Sequence, residues 1–239
     1  MEPVDIYIYV ITIITMAITY VSGIAIIKKY FENKHPTMLY YGLSFIFVTS
    51  PWIVYVVNFS VYLIFSSELT IEVFYLIGYS TVLLASASWV IGTFTLIYTH
   101  LLRLMKRVMG FLIVIYYTFF LIFVFTRMDL IGTTVGFWKI QYGIFTQFFI
   151  TVALLSFLVT IILFVWNARE SPDPEIRLKA KLLLFMGIFF GVASGIEIVP
   201  FFSPVLVIVS RTMLSLAAIC LYLGTLLPDW AKKLFLRTK

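Results

Sequence analysis

Residues 171–239 read SPDPEIRLKAKLLLFMGIFFGVASGIEIVPFFSPVLVIVSRTMLSLAAICLYLGTLLPDWAKKLFLRTK. Two apolar runs, 174–199 and 204–227, flank a short turn from Pro200 to Ser203. Each run opens on a proline behind a capping residue, Asp173-Pro174 and Ser203-Pro204. The cap supplies an acceptor for first-turn N–H groups, and proline is tolerated where its missing N–H would go unused. Glu175 adds an acid at the helix N-terminus, where the dipole favours it. About 20 apolar helical residues cross a hydrocarbon layer of roughly 30 Å. The stretch therefore reads as two membrane-spanning helices joined by a minimal turn.

Working outward, the pattern recurs five times, at about Asp5 to Ile27, Thr37 to Phe65, Leu69 to Leu104, Val108 to Thr126 and Tyr142 to Trp166. The 239 residues are 62% hydrophobic and 12% charged, against about 25% charged in a soluble domain. The expected fold is an all-α membrane protein, a single seven-transmembrane-helix domain with no internal repeat. Residues 228–239 form a short interfacial basic tail. The net charge of +6 does not signal nucleic acid, because the basic residues sit between spans. Fourteen of them flank one side: Lys28, Lys29, Lys34, Arg103, Lys106, Arg107, Arg169, Arg177, Lys179, Lys181, Lys232, Lys233, Arg237 and Lys239. Only Arg127 and Lys139 flank the other, and Arg211 lies within the seventh span. The positive-inside rule puts the N-terminus outside and the C-terminus in the cytoplasm of a multi-pass cell-membrane protein. The first span lacks a basic n-region and a small-residue cleavage site before Lys28, so no signal peptide is expected. The lone Cys220 cannot form an intrachain disulfide.

Pro51 predicts a kink in the second span, its freed carbonyl met by a neighbouring helix or by a hydroxyl such as that of Ser50. The third span is long enough to tilt or protrude. Residues 127–141, with Gly132, Gly136 and Trp138, read as an interfacial loop with an aromatic anchor.

Lipid gives helices no hydrophobic reason to associate, so small residues and interior polar contacts must hold them. Gly187, Gly191 and Gly195 recur every four residues on one side of span six. They fit close packing against a neighbouring span or a homodimer face. Glu72, Tyr75, Tyr79, Ser86, Trp89, Thr93 and His100 share a stripe on span three. Arg211, Ser215, Ala218, Tyr222 and Thr225 share one on span seven. Such stripes turn toward protein or water rather than lipid, as interhelical contacts or as an outward-facing pocket that Trp52, Tyr55 and Tyr62 join. Glu197 and Arg211 are the embedded charges that cost most to place. They pair with each other, or Arg211 pairs with Glu72, since Glu197 stands about 120° around the helix from the glycines; alternatively, one of these charges meets a ligand or a proton.

Several chemistries find no residues to carry them. The seventh span has no lysine for a retinal Schiff base, and the embedded acids are too few for a proton relay. His35 and His100 lie at the basic edge without a partner histidine, which leaves haem and metal unsupported. No P-loop, H-E-x-x-H, C-x-x-C or G-x-S-x-G motif occurs, and the sequon at Asn58 falls inside a span. No enzyme and no cofactor is expected.

Asp173-Pro174-Glu175-Ile176-Arg177-Leu178-Lys179, the glycine-rich middle, Glu197, Ser210-Arg211, Leu221-Tyr222-Leu223-Gly224 and Pro228-Asp229-Trp230 together resemble the seven-helix input modules of prokaryotic sensor proteins. These include modules N-terminal to some histidine kinases and free-standing archaeal relatives. The resemblance covers about the last third of the chain and implies sensing. Eleven residues follow Pro228, so no output domain is expected there and the signal would pass to another molecule. The reading is a receptor-like sensor whose ligand meets Tyr79, Trp89, Glu197 and Arg211 and shifts spans six and seven. The alternatives are an accessory subunit of a larger membrane complex and a small-solute transporter. Expected partners are membrane lipids and a protein partner or a second copy.

Overall fold

The computed structural model describes residues 3–134, 138, 140–198 and 203–236. The turn expected at Pro200, and Gly136, Lys139, Arg237 and Lys239, lie outside the described residues. The elements in order are α1 (Pro3–Asn33), α2 (Pro36–Val48), α3 (Ser50–Phe65), α4 (Ile71–Tyr79), α5 (Val82–Ile97), α6 (Leu102–Thr126), α7 (Met128–Ile131), β1 (Gly132–Thr134), β2 (Ile140–Tyr142), α8 (Ile144–Ala168), α9 (Pro174–Ile198), α10 (Pro204–Leu226) and α11 (Asp229–Leu236). Seven helical stretches are long and apolar enough to cross a membrane, with α2–α3 and α4–α5 each making one span. The chain is a multi-pass integral membrane protein.

Six spans close into a ring: α1 packs on α2, α2 on α5, α5 on α8, α8 on α9, α9 on α10, and α10 back on α1. The fourth span, α6, stands outside against α4 and α5. Span one earns its place through a stripe of hydroxyls. Ile8, Thr12, Thr15, Thr19, Ser22 and Ile26 recur at steps of three and four and are all buried. Thr12, Thr15 and Thr19 donate to carbonyls one turn back at 2.6–2.8 Å, so their hydroxyls enter the interior already satisfied. Spans one and two meet backbone to backbone: a methyl at Gly42 would sit 2.7 Å from Gly23 O.

The second and third spans both break at mid-length. Pro51 has no N–H for Phe47 O. Thr81, on the neighbouring span, donates to that oxygen at 2.9 Å and lies 2.7 Å from Ser50 Oγ. Ser50 Oγ in turn donates to Gly78 O at 2.8 Å. The kink at Pro51 is as expected, but the third span is not one continuous helix. It interrupts at Ser80-Thr81, ends at Ile97, and passes through a short 3-10 turn (Thr99–Leu101) into α6. The fourth span thus begins at Thr99, with α6 itself starting at Leu102, rather than near Val108. At the interruption, Tyr116 Oη donates to Tyr79 O and Tyr117 Oη to Ser80 O, both at 2.6 Å. The outlying span therefore caps two carbonyls that the broken helix leaves open.

Among its described residues, the 127–141 segment forms a short helix and a hairpin. α7 and the β1–β2 hairpin, with Gly132 opposite Tyr142 and Thr134 opposite Ile140, fold inward over one end of the ring. Trp138 is 3% exposed, packs on Phe59 at 5.0 Å, and donates Nε1 to Asp5 Oδ1 at 3.1 Å. It is a buried plug rather than a membrane anchor. Gly132 has φ +141°, and a Cβ there would overlap Tyr75 Oη. At the other, basic end, α11 packs Ala231 against Leu182, Leu223 and Leu227. Lys232 bonds Glu175 at 2.9 Å, which raises the Lys232 ammonium above its ordinary pKa.

Candidate ligand cavity

Beneath the hairpin, the ring encloses a cavity of about 90 Å³ open to the centre of a water molecule. That volume holds a few waters or a very small solute. Its walls come from the two broken spans, from α8 and from α9, and include Trp52, Tyr55, Tyr79, Ser86, Tyr142 and Glu197. Pro51 and Val82 also face it, so both breaks border the same space. Tyr79 and Tyr142 join hydroxyls at 3.2 Å across it. Tyr142 arrives on β2, so the hairpin supplies part of the wall as well as the roof.

Glu197 lines the cavity and forms an ion pair with Arg211 Nη1. Ser210 Oγ donates to the same carboxylate oxygen at 2.7 Å. Arg211 is fully buried while the Glu197 side chain is 14% exposed, so the cation is the interior member and the anion the cavity-facing one. Arg211 Nε donates to Thr12 Oγ1 at 3.3 Å, and Thr15 Oγ1 stands 3.1 Å from Arg211 O. The guanidinium carbon stands 5.8 Å and 5.9 Å from the Trp52 and Tyr55 ring centroids. One residue of α10 thus links spans one, two, six and seven. Breaking such a buried pair by removing one partner costs about 3–5 kcal/mol.

The floor is aromatic. Trp89 stacks on Tyr41 at 4.5 Å and packs on Phe157 at 4.6 Å. Phe157 continues to Phe190 at 4.8 Å. Trp89 Nε1 donates to Thr160 Oγ1 at 3.0 Å, and Tyr41 and Thr93 share a hydroxyl contact of 3.2 Å. Phe157 and Phe190 face the Glu197 cavity, whereas Tyr41 faces a second cavity that opens at the basic end.

Of the residues expected to form a pocket, Tyr79 and Glu197 line it, and Trp89 stands behind the lining residue Phe157. Arg211 sits behind Glu197. Tyr75 is fully buried below the hairpin. Glu72, in the first turn of α4, makes no ion pair among the described residues. Ser215 bonds Thr15 at 3.0 Å in the seam between spans one and seven. Tyr222 packs with the Leu182–Leu223 cluster at the basic end. Neither lines the cavity, because α10 turns that part of its stripe toward α1 and α11. Gly187 faces Ile161, and Gly191 faces Leu158, both on α8; a methyl at Gly195 would meet nothing within 4 Å among the described residues. The glycines and the carboxylate therefore serve different faces of α9.

Sequence reading missed Tyr142, Phe157, Phe190 and the hydroxyl stripe of α1. The stripe had a signal, since Thr12, Thr15, Thr19 and Ser22 keep helical spacing. Tyr142 had none, because nothing local says that a hairpin folds inward. No cluster of three or more His, Cys, Asp or Glu converges among the described residues. The chain matches no protein-family model, no curated protein and no solved structure.

Proposed function

We propose that this chain is a receptor-like membrane sensor module, with the cavity beneath the hairpin read by the α9–α10 pair and passed to a separate partner. One observation carries the reading: the carboxylate that lines the cavity is the carboxylate that ties α9 to Ser210 and Arg211 of α10. An occupant that bonds Glu197 changes the strength of that tie, and only such differential contact can bias two states. α10 leads directly into α11 at the basic end. In this reading that end, rich in lysine and arginine, is the cytoplasmic one, as the positive-inside rule expects. There Trp230, Leu234 and Phe235 are exposed, available to lipid or to a partner protein. The resemblance to prokaryotic input modules supports the same reading.

The test fills the cavity. In a Cys220→Ser background, spin labels at Lys181→Cys and Trp230→Cys report the relation of α9 to α11. Ser194→Trp, beside Glu197 in the cavity wall, stands in for a ligand. A changed label-to-label distance distribution supports the sensor. An unchanged one, with the cavity filled, sinks it.

A second reading, small-solute transport, is favoured by the paired mid-span breaks and by two cavities on opposite sides of one aromatic layer. Discontinuous helices at a midplane site are a transporter device. Proteoliposome swelling in urea, glycerol and glycine separates the two readings. Saturable entry that Ser194→Trp blocks would favour transport; tight vesicles favour the sensor.

A further inference from the structure

We infer that the cavity at the basic end is a binding site for a phosphate-bearing organic anion, separate from the Glu197 cavity. This second cavity has a volume of about 510 Å³, within the range of small-molecule sites and far larger than an inorganic ion needs. Among the described residues its titratable lining is His35, Lys179 and Tyr41, whose hydroxyl contacts Thr93, and it includes no carboxylate. Lys179 is half-buried and makes no ion pair among the described residues. Its natural helical partner, Glu175 one turn earlier, is taken by Lys232. Lys29 and Arg169 on the same face are likewise matched, to Glu32 and Glu170. Lys179 is the cation that the cavity keeps.

An independent observation points the same way. Thr37 lines the cavity and is 2% exposed, yet its hydroxyl has no hydrogen-bond partner among the described residues. The buried threonines of α1, by contrast, each bond a carbonyl one turn back, and the other buried hydroxyls without a partner among the described residues, those of Tyr75 and Thr146, line neither cavity. A buried hydroxyl left without a partner costs about 1–3 kcal/mol, so a ligand oxygen is the partner this one lacks. His35 precedes α2, Thr37 lies in its first turn, and Lys179 stands on α9, so donors come from separate elements. A tetrahedral phosphate offers three acceptor oxygens to such a set, and a planar carboxylate only two. Leu96, Ile97, Phe164 and Leu183 supply an apolar wall for the carbon part of the ligand. The phosphate can belong to a soluble monoester or to a lipid headgroup, and the basic rim concentrates either.

The test uses the full chain in maltoside micelles, which carry no phosphate. One arm titrates glycerol 3-phosphate and the other short-chain phosphatidic acid, each read as a thermal shift and a Kd. Lys179→Gln and Thr37→Val are compared with the wild type. Thr37→Val deletes no existing hydrogen bond, so without ligand it should melt at or above the wild-type Tm. Each variant should weaken binding about tenfold, the equivalent of one charge-assisted bond. Stabilisation by glycerol 3-phosphate assigns a soluble ligand, and stabilisation by phosphatidic acid alone assigns a headgroup. No shift with either probe, or a shift that both variants retain, overturns the site.

Discussion

The α2–α5 pair and the α9–α10 pair both place polar groups deep in an apolar bundle, and they satisfy them in opposite ways. Between α9 and α10 the polar groups are side-chain charges, and Arg211 answers Glu197. Between spans two and three they are backbone carbonyls, opened by Pro51 and by the Ser80-Thr81 interruption. Four hydroxyls, of Ser50, Thr81, Tyr116 and Tyr117, answer them. A charge pair concentrates its energy in one contact. A hydroxyl network spreads it over four, any one of which is expendable. The first arrangement suits a switch, because one new contact at Glu197 competes with the whole tie. The second suits a fixed wall.

The contrast is sharpest if Arg211 is removed. Arg211→Leu leaves Glu197 without its cation and should cost about 3–5 kcal/mol, read as loss of folded protein in a detergent unfolding titration. The double change Arg211→Leu with Glu197→Leu should recover most of that loss, because it removes both desolvated charges. A double variant as unstable as the single one would show that packing of the guanidinium, and not its charge, holds the spans together.

On the hydroxyl side the effects should be smaller and coupled to the backbone. Thr81→Val strands Phe47 O and should cost about 1–3 kcal/mol. In a Pro51→Ala background, residue 51 regains an N–H for that oxygen, and the same change should cost much less. Equal costs in both backgrounds would mean that the proline does not impose the break. Smaller still, Tyr117→Phe should cost about 0.6 kcal/mol, the average for a hydrogen bond within a membrane protein. Tyr117 is only half-buried, and Tyr116 still holds the neighbouring carbonyl of Tyr79. A loss as large as that of Arg211→Leu would erase the distinction between the two regions.

How much of this was readable beforehand follows the same division. The seven spans, the kink at Pro51 and the Glu197–Arg211 pair are written in residue types: long apolar runs, a proline, and two charges with nowhere cheap to go. The interruption at Ser80-Thr81 is not, because serine and threonine tolerate a helix and break one equally well when a neighbour supplies the hydrogen bonds. Those neighbours, Tyr116 and Tyr117, are local on no scale the sequence displays. Trp138 failed for a related reason. An amphipathic indole near a span end suits the interface, and only its bond to Asp5, 133 residues away in the chain, draws it inside. Ser215 and Tyr222 share a stripe with Arg211, but a stripe that long wraps around the helix and reaches two different neighbours.

The smallest effects belong to the glycines of α9, and they decide whether this pair has a further face. Gly187 and Gly191 are already used within the chain, against Ile161 and Leu158 of α8. A second copy could therefore reach only the Gly195 end of the ladder. With no atom of the described residues within 4 Å of the added methyl, Gly195→Ala should change stability by no more than about 0.5 kcal/mol. Gly187→Ala must push the flexible tip of Ile161, which stands 2.9 Å from the new methyl, and should cost more than Gly195→Ala does. Gly195→Leu is the more discriminating change, since its side chain projects where a partner backbone would lie. If sedimentation in detergent gives the same mass for wild type and Gly195→Leu, the ladder is an intramolecular device. A wild-type dimer that Gly195→Leu dissociates would restore the homodimer face and give α9 a third contact, beside α8 and α10.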